Sequence, residues 1–250
     1  MKQILFLFAA SLLLFSACKK DLIRKESVTK VDSQLSRKVD SRYNPDVSLS
    51  KFTNSTNVTN PYFPVPSGKK YIYEGQTEDV LERIEEIRLA TTKIILGIKC
   101  IIVNFKAYEN GKLIEEAFDW YAQDNIGNLW YFGEAVDNYN PDGSLKDHEG
   151  SWEAGVDGAK PGIIMPANPR TGMKYREEYY PGEAEDEAQI LSTKKTVTIP
   201  LGTYNNCIKT RNWTRLERGI NENKYYAPGV GLIKEVNLSE HTEIILVAIE

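Results

Sequence analysis

In "DWYAQDNIGNLWYFGE", residues 119 to 134, two carboxylates, Asp119 and Glu134, bracket a run of aromatic side chains. Paired carboxyls are the equipment of a glycoside hydrolase, one donating a proton to the leaving oxygen and the other acting as base or nucleophile, provided the two converge. Convergence depends on register. "NIG", residues 125 to 127, reads as a three-residue hairpin loop with glycine third, where a positive φ is needed. Counting back from that loop, Asp124 faces Asn128, Tyr121 faces Tyr131, Trp120 faces Phe132 and Asp119 faces Gly133. Strand side chains alternate between faces, so Asp119 and Glu134 are expected on opposite sides of the sheet. A two-residue loop would shift the pairing by one and set the two carboxyls directly across from each other, where they would need a shared proton or a cation. Gly127 favours the first register. The strip then reads as cross-strand aromatic pairs, with Trp120 and Tyr131 as candidate ligand contacts.

A second stretch carries related chemistry: "EGSWEAGVDGAKPGIIMPANPRTGMKYREEYYPGEAEDE". Eight glycines or prolines fall in the stretch from Gly150 to Gly172, the two end glycines included, and a long structured loop of this kind often serves a binding or covering role. It is expected to fold over one mouth of the domain, with Ile163, Ile164 and Met165 as an apolar plug; a covering loop that merely closes the core is the alternative. Trp152 and Tyr179 join the candidate ligand contacts, and Glu153 and Glu178 join Asp119 and Glu134 as candidate catalytic carboxylates. Glu183, Glu185, Asp186 and Glu187 offer oxygens that could hold Ca²⁺, although a solvated acidic turn has the same composition. No other cofactor or metal is expected. His148 and His241 are the two histidines, so His-based zinc patterns are absent, as are a phosphate-cradling glycine loop and a GxSxG elbow.

The elements that must position these groups read as strands. From Asn60 onward, β-branched and aromatic runs alternate with Gly, Pro, Asn and Asp, as in "KYIYEG", "KCIIVNFKAY", "KKTVTIP" and "TEIILVAIE". Short strands with hairpin turns predict an all-β domain with minor α content, an antiparallel meander forming a curved sheet, barrel or half-barrel. "ENGK", residues 109 to 112, predicts a type I′ turn pairing Glu109 with Lys112. Only "TEDVLERIEEIRL" competes as a helix, with Thr77, Glu78 and Asp79 as cap residues and Val80, Ile84 and Ile87 at helical spacing. Cys100 and Cys207 could pair as a disulfide or stay as two separately buried thiols.

The beginning of the chain addresses it. "MKQILFLFAASLLLFSACKK" has a lysine, an apolar run from Ile4 to Leu14, small residues and a cysteine, the layout of an export signal too short to span a bilayer. "FSAC", residues 15 to 18, resembles the lipobox of bacterial lipoproteins. The resemblance implies cleavage before Cys18, acylation of its thiol and new amino group, and anchoring in the cell envelope, with the outer membrane expected. The "KKD" that follows is similar to surface-export signals of Bacteroidetes lipoproteins. Residues 18–59, rich in Ser, Thr, Asn, Lys and Asp, read as a flexible tether, which leaves 60–250 as the β-domain. Loss of residues 1–17 removes only Lys2 among the charges, leaving 30 basic against 35 acidic side chains. That acidic balance excludes nucleic acid as an expected partner.

Several segments, "NPYFPVPSGKKYIYEG", "DWYAQDNIGNLWYFGE", "TVTIPLGTYNNCIKT" and "NKYYAPGVGLIKEV" among them, resemble a family of uncharacterised exported bacterial proteins and lipoproteins, and the endings "PLGTYNNCIKT" and "YYAPGVGLIK" are also similar to a wider set of envelope proteins with a curved antiparallel sheet. The resemblance implies fold and compartment and brings no activity. A lipid-anchored binder of a small-molecule, lipid or glycan ligand is therefore expected ahead of a carboxylate-dependent glycan hydrolase or a structural envelope component.

Overall fold

The computed structural model describes residues 43–250 except 78, 218 and 220. The export signal, Cys18 and most of the predicted tether lie outside the described residues. Among the described residues, fifteen strands follow one 3₁₀ turn at Leu49–Lys51. They are β1 (Lys70–Gln76), β2 (Leu81–Ile95), β3 (Ile98–Glu109), β4 (Lys112–Gln123), β5 (Leu129–Tyr139), β6 (Leu145–Asp147), β7 (Trp152–Glu153) and β8 (Lys160–Met165). The rest are β9 (Lys174–Arg176), β10 (Glu178–Tyr179), β11 (Asp186–Ile199), β12 (Gly202–Thr214), β13 (Glu222–Ala227), β14 (Gly231–Asn237) and β15 (Thr242–Ile249).

The chain is all-β, as its patterning predicts, and the α content expected beside it is absent among the described residues. The competing helix is not formed: Leu81–Ile95 is a long strand. Its Ile84 and Ile87 fit both periods, but Thr91, Thr92, Ile94 and Ile95 are β-branched, and the strand is laddered to β1 over its first half and to β3 on both sides of a bulge between Arg88 and Thr92. Tertiary pairing decides where local spacing does not.

Two meanders, β1 to β5 and β11 to β15, are joined edge to edge by antiparallel pairing of β1 with β15. The continuous order is β10-β8-β5-β4-β3-β2-β1-β15-β14-β13-β12-β11-β9, with β6 and β7 also on β5. Its two outermost strands, β9 and β10, are separated in the chain by Glu177 alone, so the sheet curls until its edges meet in a nearly closed barrel. Gly162 makes that seam possible, because a Cβ there would lie 2.2 Å from the Glu177 carbonyl oxygen. Curling the sheet in this way leaves only the short strands β9 and β10 as its ends, which limits the open edge that invites aggregation.

Residues 43–59, which the sequence places in the tether, run along the outer surface of β4 and β5. Phe52 is buried there, edge-on to Trp130 and Phe132 with ring centroids 6.2 and 5.8 Å away. The Ser55 hydroxyl donates to Lys99 O at 2.6 Å, and the Gln123 N–H donates to Ser55 O at 2.8 Å. Gln123 Oε1 accepts from the backbone of Thr59 and Asn60 at 2.8 and 2.9 Å. The packed unit thus begins no later than Tyr43, whose hydroxyl donates to Pro161 O at 2.8 Å. The "GIIMP" segment is likewise not a plug: as β8 it pairs Leu129 with Met165, Trp130 with Ile163 and Tyr131 with Gly162.

Candidate functional site

The three-residue loop forms as expected. Asp124 and Asn128 are joined by a backbone bond of 2.9 Å, and Gly127 has φ 96°. Asp124 organises that turn, accepting from Ile126 N, Asn128 N, Asn128 Nδ2 and Trp130 Nε1 at 2.8–3.1 Å. Tyr121 duly faces Tyr131. Beyond that pair the register changes: Asp119 stands opposite Glu134, not Gly133. One residue, Trp120, spans on β4 what Phe132 and Gly133 span on β5. The extra residue is a bulge, with Gly133 at φ 126°. A Cβ at Gly133 would come within 2.2 Å of Trp152 O, so β7 is laid against the bulge and requires glycine. The expectation that Asp119 and Glu134 lie on opposite faces is therefore overturned, because a turn fixes register only as far as the next bulge.

Both carboxyls face the barrel interior and line a cavity of about 80 Å³, measured as the space open to the centre of a water molecule. A single buried water needs roughly 10–15 Å³ on that measure, so the cavity has room for several waters or a small organic group. Its walls are apolar and aromatic: Phe63, Tyr71, Tyr73, Tyr121 and Tyr226, with Val103, Phe105, Ile164 and Leu232 between them. Glu86 and Lys224 complete the polar part, and Pro64, Val65, Pro66, Lys69 and Arg88 line it as well. Phe63 leans on Tyr121 and Tyr226 with centroids 5.5 and 6.4 Å away. The Arg88 guanidinium holds the adjoining segment by donating to Val65 O and Thr56 O at 3.1 and 2.8 Å.

The acids do not share one environment. Asp119 is pushed up to about 7 by burial, against the opposing pull of the Tyr131 hydroxyl, which donates to its Oδ1 at 2.6 Å. Burial also holds Glu134 well above the usual carboxylate range, and Asp119, Glu178 and Glu115 add to it. Glu134 Oε1 is buried with no hydrogen-bond partner. Two opposed carboxyls in a low-dielectric interior cannot both ionise, so the pair retains a proton near neutrality. Across the cavity, burial works against the charge on Lys224, but Glu235 and Glu222 more than offset this and keep it protonated. Its Nζ lies 3.6 Å from Glu235 Oε2 and 3.8 Å from Glu222 Oε2.

The other predicted site residues lie elsewhere. Trp120 is on the outer face with Lys93 Nζ 3.3 Å above its ring, and Lys93 pairs with Glu153 at 2.7 Å. Glu153 therefore has no part in the cavity. Tyr131 and Trp152 are buried behind it, edge-to-face at 5.3 Å, and Tyr131 serves Asp119 through its hydroxyl. Tyr179 packs on Tyr43 at 5.1 Å with the Arg176 guanidinium 5.0 Å from its ring. Glu178 is buried near Glu134 without lining the cavity, and burial raises it well above its ordinary value. Cys100 and Cys207 are separately buried free thiols, not a disulfide. Among the described residues no group of three or more His, Cys, Asp or Glu is placed to hold a metal. Of the acids considered for Ca²⁺, Glu187 pairs with Arg176 and Arg215 at 3.3 and 2.6 Å, and Glu185 accepts from Gly182 N at 2.9 Å.

The aromatic wall escapes the sequence reading because it is assembled from β1, β4, β13 and the segment before β1. One signal was present: Tyr71 and Tyr73, two apart in "KYIYEG", must share a face.

No protein-family model matches this chain, and no curated protein matches it. Two solved structures are similar to it. One is a proposed exported protein with a YmcC-like fold from Bacteroides fragilis NCTC 9343, with TM-score 0.45, 14% identity and coverage of 76% of this chain and 98% of that one. The other is a proposed lipoprotein from Parabacteroides distasonis ATCC 8503, with TM-score 0.39, 12% identity and coverage of 76% and 99%.

Proposed function

We propose that the chain is a lipid-anchored protein of the bacterial cell envelope whose barrel binds a small amphipathic ligand. The observation that carries the binding role is the aromatic cavity with the Asp119–Glu134 pair in its wall. Apolar walls supply the contact area, and a few fixed polar groups set orientation, which is the usual make-up of a small-molecule site. The anchor rests on Cys18 in "FSAC", and two or more acyl chains at about 0.8 kcal/mol per buried methylene hold a protein durably at a membrane.

The experiment uses the chain from residue 18 onward carrying Cys18→Ser, made without lipid and kept free of detergent. Alkyl alcohols, amines and acids of six carbons are added, and the melting temperature is followed. A ligand that binds only the folded state raises it. The reading fails if none of the three classes does. For the anchor, Cys18→Ser in the intact precursor is expected to abolish incorporation of labelled palmitate and to move the protein out of the detergent phase.

One observation favours a second reading, a carboxylate-dependent hydrolase: Asp119 and Glu134 stand directly opposite each other in the sheet, and burial raises both above the ordinary carboxylate range, as a general acid requires. Release of reducing sugar from envelope glycans, lost in both Asp119→Asn and Glu134→Gln, would establish it. A cavity with room for only a few waters favours binding over accommodation of a glycan chain.

A further inference from the structure

Resting on the binding reading above, we propose that the cavity selects a ligand bearing an organic ammonium group, seated against Asp119 and Glu134 and enclosed by the surrounding aromatic rings. Three observations lead to it. The first is chemical complementarity. Glu134 lines the cavity, and its Oε1 is buried and lacks a partner. A buried acceptor left without a donor costs free energy that an N–H of a ligand would recover. An ammonium has donors only, so it suits a wall built from two carboxyls.

The second observation is that the protein's own interior cation is committed elsewhere. Lys224 sits between Glu222 and Glu235, on β13 and the neighbouring β14. The Tyr131 hydroxyl serves Asp119, while Glu115 and Glu178 approach the Asp119–Glu134 pair as further acids. On β2, Glu86 adds another acid, and the guanidinium of Arg88 is turned to the carbonyls of Val65 and Thr56. Three bases, Lys69, Arg88 and Lys224, share the cavity wall with Glu86, Asp119 and Glu134, but Arg88 and Lys224 are engaged with the partners named, and the charges that act on Glu134 are those of acids.

The third observation is the enclosure. Tyr71, Tyr73, Tyr121 and Tyr226 all have pKa values raised by burial, so they remain neutral phenols. With Phe63 they ring the cavity, and aromatic quadrupoles attract a cation strongly once water is excluded. An anionic amphiphile would find aromatic walls too, but a headgroup seated at Asp119 and Glu134 would meet two acids, while Lys224 is already held between Glu222 and Glu235.

A linked proton makes the inference testable. A cation favours the ionised carboxylates, so its binding expels the proton they hold. Affinity is then expected to rise with pH, by up to about tenfold per unit for one proton released, across the range in which Asp119, near 7, and Glu86, near 8, titrate. The tyrosines stay neutral and Lys224 stays charged over that range, so they do not contribute.

The test compares hexylamine, hexanol and hexanoate on the unlipidated Cys18→Ser chain, by calorimetry at about pH 6 and about pH 9. Hexylamine is expected to bind at least about tenfold more tightly than hexanol at the higher pH, to release a proton, and to lose that advantage in Glu134→Gln. Asp119→Asn serves as a second variant should Glu134→Gln fail to fold. Hexanol or hexanoate binding as well as hexylamine would overturn the ammonium assignment while leaving the binding reading standing. Failure of all three would remove both. Vesicles containing phosphatidylethanolamine, set against vesicles of phosphatidylglycerol alone, distinguish a headgroup amine from a free one.

Discussion

The β4–β5 hairpin has two faces, and they solve opposite problems. Its outer face carries Trp120, Trp130 and Phe132; Phe52, from the segment 43–59, packs edge-on to the last two, and Lys93 lies over Trp120. Its inner face carries Asp119, Tyr121, Tyr131 and Glu134, and there acids are left facing a cavity. One surface gains stability by excluding water from aromatic area. The other holds desolvated carboxyls that oppose folding whenever they are charged. A domain that tolerates such groups in its interior has them for a reason other than stability, and this contrast is why the inner face is the functional candidate.

Gly133 is the residue on which both faces depend, and changing it should have the largest effect. Gly133→Val places a branched side chain at φ 126° and within reach of the Trp152 carbonyl. Strain of this kind is on the order of 1–3 kcal/mol before any steric overlap, and relief requires either displacing β7 or erasing the bulge. Erasing it would return Asp119 to a position opposite Gly133 and turn Glu134 outward. The expected result is a loss of at least about 3 kcal/mol in chemical denaturation, together with loss of ligand binding. Wild-type stability and binding would show that the bulge does not set the pair.

Next comes the outer face alone. Phe52→Ala removes the ring that covers Trp130 and Phe132, and a large-to-small change at a buried aromatic costs about 3–5 kcal/mol. The melting temperature should fall while ligand affinity per folded molecule stays unchanged, since Phe52 is not part of the cavity. A parallel loss of affinity would break the separation between the faces.

How far these features were legible differs with the range over which each is determined. The I′ turn at Asn110–Gly111, with φ 48° and 78°, pairs Glu109 with Lys112 as its residues dictate. The NIG loop and the Tyr121–Tyr131 pair were equally readable, being set within a few residues. The Asp119–Glu134 pairing was not, because the bulge lies between it and the turn that fixes the count. An isolated glycine inside a strand pattern was the available signal. Phe52 was hidden for another reason: a single aromatic among serines, threonines and asparagines has no periodicity, and its partners are about 80 positions away. The aromatic wall brings residues of β1, β4 and β13 together through barrel closure, which no local pattern encodes.

The inner face alone is probed by pH. Asp119 has a folded-state pKa near 7, above the ordinary carboxylate value from which the unfolded chain titrates. Between those values the unfolded chain loses a proton that the folded chain keeps, so stability falls as pH rises from about 4 to about 7 and levels off above. Glu134→Gln removes one of the two opposed carboxyls. It should raise the melting temperature by a few degrees at about pH 8, have little effect at about pH 4, and flatten the pH dependence between them. A variant less stable than wild type at the higher pH would show that Glu134 is ionised and paired in the folded protein, against the burial of its carboxyl and the lack of a partner at Oε1.

The smallest effect should come from the carboxylate on the outer side. Glu153 and Lys93 form an ion pair at 2.7 Å, and each side chain is about one-third exposed. Pairs of that kind contribute roughly 0–1 kcal/mol, and salt screens them further. In Glu153→Gln the amide oxygen can still accept from Lys93, and Lys93 remains over the Trp120 ring 3.3 Å away. Stability should therefore change by less than about 1 kcal/mol. Hexylamine affinity and its pH profile should coincide with wild type, because the sheet stands between Glu153 and the cavity. Glu153 and Glu134 lie at neighbouring positions across β5 and β7, where Gly133 pairs with Glu153 and Glu134 with Trp152. If Glu153→Gln nonetheless shifted the pH dependence of binding, the two carboxylates would be electrostatically linked through the sheet, and the inner and outer faces would have to be treated as one site.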